Sequence, residues 1–424
     1  MSIQCIESVL NQNILKDLKI KIEPKFKYDK ARYIYPLIRE YEIITIPFAF
    51  AVKALNLKRR KRDTFKPMGY FEFEGVLRQE QLEVKAEAIS SLNKTGSVLL
   101  SMYCGFGKTI TAINIASQIK LRTLIIVNKI VLIEQWHDAL TQFCPCSKIL
   151  TITPSYIKKH NFTEDFDFDF VLINALNVQK IHTSFYNDFG TVIVDEAHLI
   201  MAESLSQSLL SVRPRYLIGL TATPYRPDGL DGLLSFFFGD VRVIRELNRE
   251  HKIYKVMTNF KPTIELTKQG QINWSVVLES QSNNVERNAL IISILTRFKD
   301  RNFLVLVKRV EQGNYLVDEL QKINESVTSL LGSNQVYDKD ARILVGTVAK
   351  VGVGFDRKKT DALLLAGDVE QYFIQYLGRV MRTKETIPLI FDLVDDFTLL
   401  KKHYASREQV YKNHGGLIEK YKIE

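Results

Sequence analysis

The sequence predicts an α/β protein with two lobes, each built on a doubly wound parallel sheet, and a small N-terminal accessory domain. From Val98 onward, short β-branched runs alternate with segments of helical periodicity, and this alternation returns after an irregular stretch at 248–284. Buried parallel strands have such continuous apolar runs, and crossover helices separate them. A length of 424 residues suits two domains and a smaller piece.

The first 76 residues have strand-like pieces, such as RYIYPLI and YEIITIPFAF, separated by turn prolines. This segment contains 15 Lys or Arg and 9 Asp or Glu, and it includes the basic run KRRKR at 58–62. The run is open to three interpretations: a solvated loop, a nuclear-localisation signal, or a contact to DNA phosphates through Arg59 and Arg60. We favour the DNA contact, because the chain has a formal charge of +10 and basic chains suit polyanionic partners.

The first lobe is predicted at 77–248 and the second at 249–400, and a helical tail is predicted at 401–424. The strand candidates of the first lobe are SVLLSMY, TLIIVN, FVLINAL, TVIVDEA and YLIGLTAT. Those of the second lobe are FLVLVKR, ARILVGT, ALLLAG and PLIFDLVD. The polar segment FTLLKKHYASREQVYKN ends at Gly415 and Gly416, which is typical of a helix with a glycine cap.

Composition excludes several classes of protein. The longest apolar stretch near the N-terminus, 43–55, is interrupted by Pro47 and Lys53 and is shorter than the roughly 20 residues that a bilayer requires. The first ten residues lack the features of a secretory signal, so an intracellular, cytoplasmic location is predicted. The four cysteines form no CxxC pair, which argues against a zinc module or a disulfide framework and predicts free thiols.

A glycine-rich turn, CGFGKT, follows the first strand of the first lobe and precedes a helix. Gly105 and Gly107 allow backbone N–H groups to turn toward an anion, and the helix N-terminus adds partial positive charge. Lys108 would reach the β and γ phosphates of ATP, and Thr109 would place its hydroxyl on Mg²⁺. Met102 stands where the strict phosphate-loop pattern has glycine, so a plain strand-to-helix turn is the alternative.

A strand that ends in DEAH lies about 90 residues beyond this turn. An acid at a strand end is where a phosphate-loop enzyme holds its metal ion, so Asp195 is predicted to bind Mg²⁺. Glu196 is predicted to orient and deprotonate the attacking water. DEAH alone could be an acidic helix start, but both motifs on strands of one lobe predict ATP hydrolysis.

The order GFGKT, DEAH, LTATP and QYLGRVMR resembles that of superfamily 2 helicases, and the resemblance covers nearly all of 77–396. It implies two tandem RecA-like lobes that hydrolyse ATP with Mg²⁺. It also implies that Arg78 and Gln81, in an RxxQ pattern, read adenine. Asn128 and Lys129, in the next motif, are implied to lie near the nucleic-acid track.

The LTATP motif matches the family element that couples hydrolysis to lobe closure. Thr221 and Thr223 would place two hydroxyls at a strand end beside His198 and could relay hydrogen bonds between the lobes. The alternative is a buried strand end with satisfied hydroxyls.

The second-lobe segment VGTVAKVGVGFD is similar to the fifth motif of the family. The resemblance implies that Gly354 and Asp356 contact the nucleotide ribose and that Thr347 contacts a phosphate of the nucleic acid. Arg357 stands where the family usually has proline, which leaves the local turn open.

The segment QYLGRVMR fits the QxxGRxxR motif, which includes Gln375, Arg379 and Arg382. Two arginines nearly one turn apart on a helix could both reach the γ phosphate of ATP bound to the other lobe, where such groups are worth roughly 10³ to 10⁵ in rate. An ordinary amphipathic helix with surface arginines is the alternative.

Three further basic residues lie at or near strand ends of the second lobe: Lys308, Arg309 and Lys350. They are predicted to contact backbone phosphates of the nucleic acid, and plain solvation is an equal alternative.

Within the superfamily, CGFGKT, NKIVLIEQW and LTATPYRPDGLDGLLSFFFG resemble the group that contains XPB, phage UvsW and the poxviral transcript-release helicase. The resemblance implies a monomeric, sequence-independent motor on duplex, forked or four-way DNA, of the phage or viral UvsW type that acts in branch migration and fork reversal. A duplex translocase that displaces RNA polymerase or releases transcripts is a second hypothesis. An ATP-dependent binding module without unwinding is a third, and the intact Lys108 and Glu196 argue against it.

Overall fold

The computed structural model of the chain describes residues 1–22, 31–160, 162, 167–224, 226, 229–334, 336–352, 357–369, 373–381 and 386–422. They form two compact units, Met1–Arg245 and Glu246–Glu424. Each unit contains a seven-stranded parallel sheet with flanking helices, which confirms the predicted pair of doubly wound lobes. The finer boundaries at residues 76 and 400 remain predictions. No helix in the described ranges has the length and apolar character needed to cross a membrane.

The N-terminal segment of the first unit forms short strands and two helices. These are β1 (Ser2–Ile6), α1 (Gln12–Asp17), β2 (Ile20–Ile22), β3 (Arg32–Ile34), β4 (Ile38–Glu40), β5 (Ile43–Pro47) and α2 (Phe48–Ala54). Strands β1, β5 and β4 form an antiparallel sheet in that order, and β2 pairs with β3 in a separate antiparallel ribbon. Each strand-like piece of the sequence therefore contains a strand, but the last three residues of YEIITIPFAF, 48–50, begin helix α2.

The parallel sheet of the first unit has the order β12-β6-β11-β10-β7-β9-β8. Its strands are β6 (Ser97–Met102), β7 (Thr123–Val127), β8 (Ile149–Ile152), β9 (Phe170–Asn174), β10 (Thr191–Val194), β11 (Tyr216–Thr221) and β12 (Arg242–Arg245). Every residue of β6, β7, β9, β10 and β11 is buried. A sheet covered by helices on both faces requires such continuous apolar strands.

Among the described residues of the first unit, eight helices connect or cover these strands. They are α3 (Gln79–Lys94), α4 (Lys108–Ile119), α5 (Ile130–Phe143), α6 (Pro154–Lys159), α7 (Ala175–Val178), α8 (Ala197–Ile200), α9 (Glu203–Ser208) and α10 (Asp231–Phe238). The N-terminal α2 packs against α10, where the rings of Phe50 and Phe236 meet edge to face at 5.3 Å. Phe48 is fully buried in the same core as Leu99 of β6. The N-terminal segment thus shares the core of the first sheet.

The parallel sheet of the second unit has the order β15-β16-β14-β17-β18-β13-β19. Its strands are β13 (His251–Met257), β14 (Phe303–Val307), β15 (Val327–Leu330), β16 (Ile343–Thr347), β17 (Ala362–Leu365), β18 (Leu389–Val394) and β19 (Gly416–Lys420). Only a helical tail was expected after residue 400, whereas β19 pairs with β13 and forms an edge of the sheet. The stretch 248–284 was expected to be irregular, but it contains β13 and a helix at Trp274–Asn283.

The helices of the second unit are α11 (Trp274–Asn283), α12 (Val285–Arg297), α13 (Val310–Lys322), α14 (Val348–Val351), α15 (Phe373–Val380) and α16 (Thr398–Asn413). Just after α16, Gly415 has a φ of +87°, which confirms the predicted glycine cap. All four cysteines are free thiols, as the sequence predicts.

Candidate functional site

The turn between β6 and α4 has the backbone that an anion-binding loop needs. Gly105 and Gly107 have φ values of +90° and +93°, a region that favours glycine. A Cβ atom at Gly107 would lie only 2.4 Å from Nε2 of Gln81. Met102 is the last residue of β6 and is fully buried, so its departure from the glycine pattern falls in the strand and outside the turn.

Arg78 and Gln81, the predicted adenine-reading pair, lie against this turn. The Gln81 Nε2 atom donates to the Phe106 carbonyl at 3.1 Å, and the Arg78 guanidinium donates to the same carbonyl. The backbone N–H of Arg78 donates to Gln81 Oε1 at 2.8 Å, which fixes the two residues relative to each other at the start of α3. The structure therefore brings the RxxQ pair and the glycine turn together.

Lys108 and Thr109 are the first two residues of α4. The Lys108 Nζ atom donates to the carbonyls of Met102 at 3.0 Å and Tyr103 at 3.4 Å, so the ammonium group lies over the turn. The side chain of Thr109 is half-buried at the N-terminus of the same helix. Partial positive charge of the helix end and the lysine charge are thus concentrated at one place.

Asp195 follows β10 directly and is buried. Its Oδ2 accepts a hydrogen bond from the indole Nε1 of Trp136 at 2.8 Å, and its Oδ1 accepts one from the backbone N–H of Glu196 at 2.9 Å. Burial raises the pKa of Asp195, whereas the indole hydrogen bond and the charge of Lys108 oppose that rise. The carboxylate is therefore held in one orientation by two uncharged donors.

Glu196, the predicted base, precedes α8 in the left-handed conformation, with a φ of +48°. This region is uncommon for residues other than glycine, asparagine and aspartate. The Glu196 Oε2 atom lies 3.5 Å from Nδ1 of His198. Glu196 and His198, the second and fourth residues of the DEAH motif, are thus adjacent in space.

His198 is linked to the LTATP motif. Its Nδ1 lies 2.9 Å from the Thr221 hydroxyl, which also donates to the Thr223 carbonyl at 2.9 Å. A hydroxyl has one proton, so this arrangement makes His198 Nδ1 the donor to Thr221. Burial, with the charges of Arg226 and Lys108, lowers the pKa of His198 to about 3. The imidazole is therefore neutral near pH 7, and the three predicted coupling residues form one hydrogen-bonded group.

The donor set of this edge fits a nucleotide with Mg²⁺. A carboxylate on Asp195 and a hydroxyl on Thr109 are hard oxygen ligands of the kind that Mg²⁺ prefers. Mg²⁺ usually takes one or two protein oxygens and completes its shell with water and substrate phosphates. The described part of the chain has no group of three or more His, Cys, Asp or Glu side chains that could hold a metal alone.

Asn128 and Lys129 lie where β7 ends and α5 begins. Strand β7 is the neighbour of β10, and the carboxyl ends of parallel strands share one edge of a sheet. Both side chains are half-buried. The structure thus places them at the same sheet edge as Asp195, while their contact to nucleic acid remains a prediction.

In the second unit, the four predicted phosphate contacts also lie at the carboxyl edge of the sheet. Lys308 is exposed just after β14, and Arg309 donates to the Ser275 carbonyl at 3.0 Å. Thr347 is the last residue of β16. Lys350, in α14, donates to the main-chain carbonyl of Asn334. Their shared position is compatible with a common track.

Arg59 and Arg60 lie elsewhere, at the amino edge of the first sheet. Arg59 donates to the carbonyls of Leu92 at 2.9 Å and Asn93 at 3.0 Å, at the end of α3. Arg60 donates to two carbonyls in the segments that enter β10 and β11. These bonds give both guanidinium groups a role in the fold, and the predicted contact to DNA receives no support from them.

Gln375 and Arg379 of α15 are buried in the second unit. Arg379 donates to the Gly352 carbonyl at 3.0 Å, and the Tyr376 hydroxyl donates to the Val348 carbonyl at 2.9 Å. These bonds join the two family motifs of this unit. Three predicted site residues lie outside the described residues: Gly354, Asp356 and Arg382.

Arg357, which replaces the usual proline of the family motif, is buried. Its guanidinium donates to the carbonyls of Ala341 and, at 3.4 Å, Lys339. It therefore ties the chain after the motif to the segment that enters β16.

Sequence reasoning missed Trp136, although it lies in the quoted segment NKIVLIEQW. A tryptophan on the apolar face of an amphipathic helix is typical of a core residue, and Trp136 is indeed only 1% exposed. Its indole N–H, however, is directed at Asp195, and that partner is 59 positions away in the chain.

Comparison with known proteins gives the family of the chain. Residues 74–226 match the family described as "Type III restriction enzyme, res subunit". The "Putative helicase 161L" of Invertebrate iridescent virus 6 is 44% identical over 402 residues, which span 90% of each protein. The "Putative helicase 055L" of Frog virus 3 (isolate Goorha) is 35% identical over 355 residues, which span 82% of this chain and 80% of that protein.

Two further matches have lower sequence identity. The "Putative ATP-dependent RNA helicase L396" of Acanthamoeba polyphaga mimivirus is 25% identical over 378 residues, or 84% of this chain and 72% of that protein. The solved structure "Sulfolobus solfataricus SWI2/SNF2 ATPase core in complex with dsDNA" is 13% identical with a TM-score of 0.41, and the match covers 83% of this chain and 94% of that chain.

Proposed function

The chain belongs to superfamily 2 of the helicases and is an ATP-hydrolysing enzyme, and from that premise we propose that it is a motor that moves along or remodels duplex or branched DNA. The observation that carries this proposal is the carboxyl edge of the first sheet. There the glycine turn, Lys108, Asp195 and the His198–Thr221 pair occur together.

In the proposed reaction, backbone N–H groups of the turn and the N-terminus of α4 bind the phosphates of ATP. Lys108 leaves its carbonyl partners and contacts the β and γ phosphates. Asp195 and Thr109 would hold Mg²⁺, and the ion would supply positive charge beside the phosphate oxygens. Glu196 orients the water and accepts its proton.

We propose that the nucleotide state is passed on through His198. A neutral imidazole that donates to Thr221 and lies 3.5 Å from Glu196 can respond to movement of either residue. Arg379 and Arg382 complete the proposed reaction as groups that stabilise charge on the γ phosphate, and Gly354 and Asp356 contact the ribose. These four assignments rest on the family resemblance.

The motifs favour DNA as the substrate, because they resemble the group of XPB and phage UvsW. The formal charge of +10 suits a nucleic acid of either kind. The proposed setting is replication, recombination or repair through branch migration, fork reversal or unwinding. The alternative, a DNA translocase that releases transcripts or RNA polymerase during viral transcription, is favoured by the resemblance to the poxviral transcript-release helicase.

The test is a panel of ATP hydrolysis rates with forked DNA, four-way junctions, plain duplex, single strands and RNA at several salt concentrations. We expect the fastest turnover with forked or four-way DNA and a steep loss of binding with salt, because a motor that contacts phosphates releases counterions. Equal stimulation by RNA would overturn the choice of DNA. Displacement of a stalled polymerase without unwinding would favour the alternative.

Variants test the site itself. Lys108→Ala and Glu196→Gln should each bind DNA as the wild type does but abolish most ATP hydrolysis. For Glu196→Gln the expected loss is at least about 10²-fold, since general-base catalysis contributes 10² to 10⁴; Lys108→Ala removes the charge that contacts the β and γ phosphates. Lys94→Ala, at an exposed lysine near the end of α3, is the matched control and should keep full turnover. Normal turnover in both site variants would refute the assigned roles.

A further inference from the structure

The bond between Trp136 and Asp195 connects helix α5 to the end of β10. The indole is 1% exposed and the carboxyl residue 6% exposed, and their atoms Nε1 and Oδ2 are 2.8 Å apart. A buried indole N–H needs an acceptor, and here the acceptor is the acid of the nucleotide site. Phenylalanine or leucine would fill the same core position without this bond.

The charge of the donor matters for what the acid can do. An indole donates one hydrogen bond and carries no charge, so it orients a carboxylate without neutralising it. Each oxygen of Asp195 accepts one of the bonds described above, and a carboxylate oxygen can accept two. Both oxygens thus retain capacity for a further ligand, and the negative charge of the carboxylate stays available to a cation.

We propose that Trp136 is a positioning residue that orients Asp195 for Mg²⁺, an inference that rests on the proposed role of Asp195 in holding the ion. Partners of this kind fix the orientation of a metal-binding carboxylate, and their loss typically weakens metal affinity by about 10- to 100-fold. The same contact makes the indole a reporter, because a cation that binds Asp195 changes the charge next to the ring.

The reporter is easy to isolate, because the chain has only two tryptophans, Trp136 and Trp274. In a Trp274→Phe background, Trp136 is the single source of indole fluorescence. Titration with Mg²⁺ in the presence of ADP should shift or quench its emission, and adding Asp195→Asn should abolish that response. This measurement needs neither turnover nor a nucleic acid. If Mg²⁺ did not change the indole emission of the Trp274→Phe protein, the inference would be overturned.

A variant tests the positioning role by activity. Trp136→Phe removes the N–H donor and keeps most of the packing, so the Mg²⁺ concentration for half-maximal ATP hydrolysis should rise about 10- to 100-fold. Saturating Mg²⁺ should restore most of the maximal rate, and ADP binding without Mg²⁺ should stay unchanged. A purely structural role predicts instead a rate loss that added Mg²⁺ does not restore, and that result would overturn the inference.

The two proposals fail in distinguishable ways. If the wild-type chain does not hydrolyse ATP under any condition, the proposed function fails. If the wild type hydrolyses ATP and Trp136→Phe needs no more Mg²⁺ than it does, only the positioning role fails. Should the variant not fold, the fluorescence titration on the native indole still decides the question.

Discussion

Each of the two units has buried acids in, or directly after, a strand of its parallel sheet, and the partners of these acids differ. In the first unit, Asp195 is held by an indole and a backbone N–H, both uncharged. In the second unit, both oxygens of Asp392 accept bonds from Arg407, at 2.8 and 2.9 Å, and the hydroxyl of Tyr411 adds a third. The charge of the hydrogen-bond partner therefore distinguishes the two acids. Asp195, with uncharged donors, can still bind a cation, whereas the charge of Asp392 is balanced by Arg407 and stabilises the fold.

A second acid of the same sheet repeats this pattern. Asp395, directly after β18, pairs with Arg287 at 2.9 Å, and both side chains are 1% exposed. The Thr258 hydroxyl and the Gln281 amide donate to the same carboxylate, at 2.6 and 2.5 Å. A strand-end acid is thus no sign of a metal site unless its donors leave its charge unbalanced.

The largest expected effect tests the structural acids. Arg407→Met leaves the carboxylate of Asp392 buried without its cation, which should lower the free energy of unfolding by about 3–5 kcal/mol. The double variant Arg407→Met with Asp392→Leu should recover part of that loss, because it removes the orphaned charge as well. Urea unfolding checks both. If the free energy of unfolding of Arg407→Met lay within about 1 kcal/mol of the wild-type value, the distinction between the two kinds of acid would be contradicted.

A smaller effect concerns how the stability of the first unit depends on pH through the neutral imidazole of His198. Burial lowers the pKa of His198 to about 3, whereas an unfolded histidine titrates near 6.5. The unfolded state therefore binds a proton first, so stability is complete above about pH 6.5 and falls as the pH drops toward 3. At pH 5 the loss should be about 2 kcal/mol.

Unfolding midpoints at pH 7, 6 and 5 measure this dependence. His198→Gln should flatten it, and the matched control His182→Gln, at an exposed histidine, should leave it intact. If His198→Gln kept the same pH dependence of the unfolding midpoint as the wild type and the control, His198 would not be its source.

A third prediction concerns the basic run. Arg59 donates to the carbonyls of Leu92 and Asn93 at the end of α3, so Arg59→Ala should lower the free energy of unfolding by about 1–2 kcal/mol. The salt dependence of DNA binding should stay unchanged, whereas loss of a phosphate contact would reduce its slope by about one. Lys58→Ala, at the exposed neighbour, is the matched control.

The smallest effect on stability is expected at Asp195 itself. Because burial raises its pKa, the charged form is disfavoured in the fold, and Asp195→Asn should leave the unfolding midpoint equal or higher. The same change at Asp392 should lower the midpoint clearly, because Arg407 would lose its counter-charge. Thermal unfolding of this matched pair is the most direct check, and equal losses at both positions would contradict the distinction.

Local patterns in the sequence were sufficient for much of the fold. The buried strands, the glycine turn and the cap of α16 depend on neighbouring residues, and each is where the pattern predicts it. Strand β19 was missed because its partner is remote: Ile418 pairs with Ile253. A five-residue segment after a helix has no local feature that marks it as an edge strand.

The candidate site divides in the same way. Glycines, Lys108 and the DEAH acids were identified from spacing, because phosphate binding needs these residue types in this order. The Trp136–Asp195 bond spans 59 positions, and the bond from Arg59 to Leu92 spans 33. Charge and burial at such distances come from tertiary packing, so neither bond was predicted from the sequence.

Glu196 has a further consequence for the evolution and engineering of this enzyme. A side chain in the left-handed region costs roughly 1–2 kcal/mol, a penalty that glycine avoids. Selection for heat resistance alone would therefore favour glycine at the one position where the proposed base stands. When more thermostable variants are selected by directed evolution, each round should also be screened for ATP hydrolysis, since stability and catalysis favour different residues at this position.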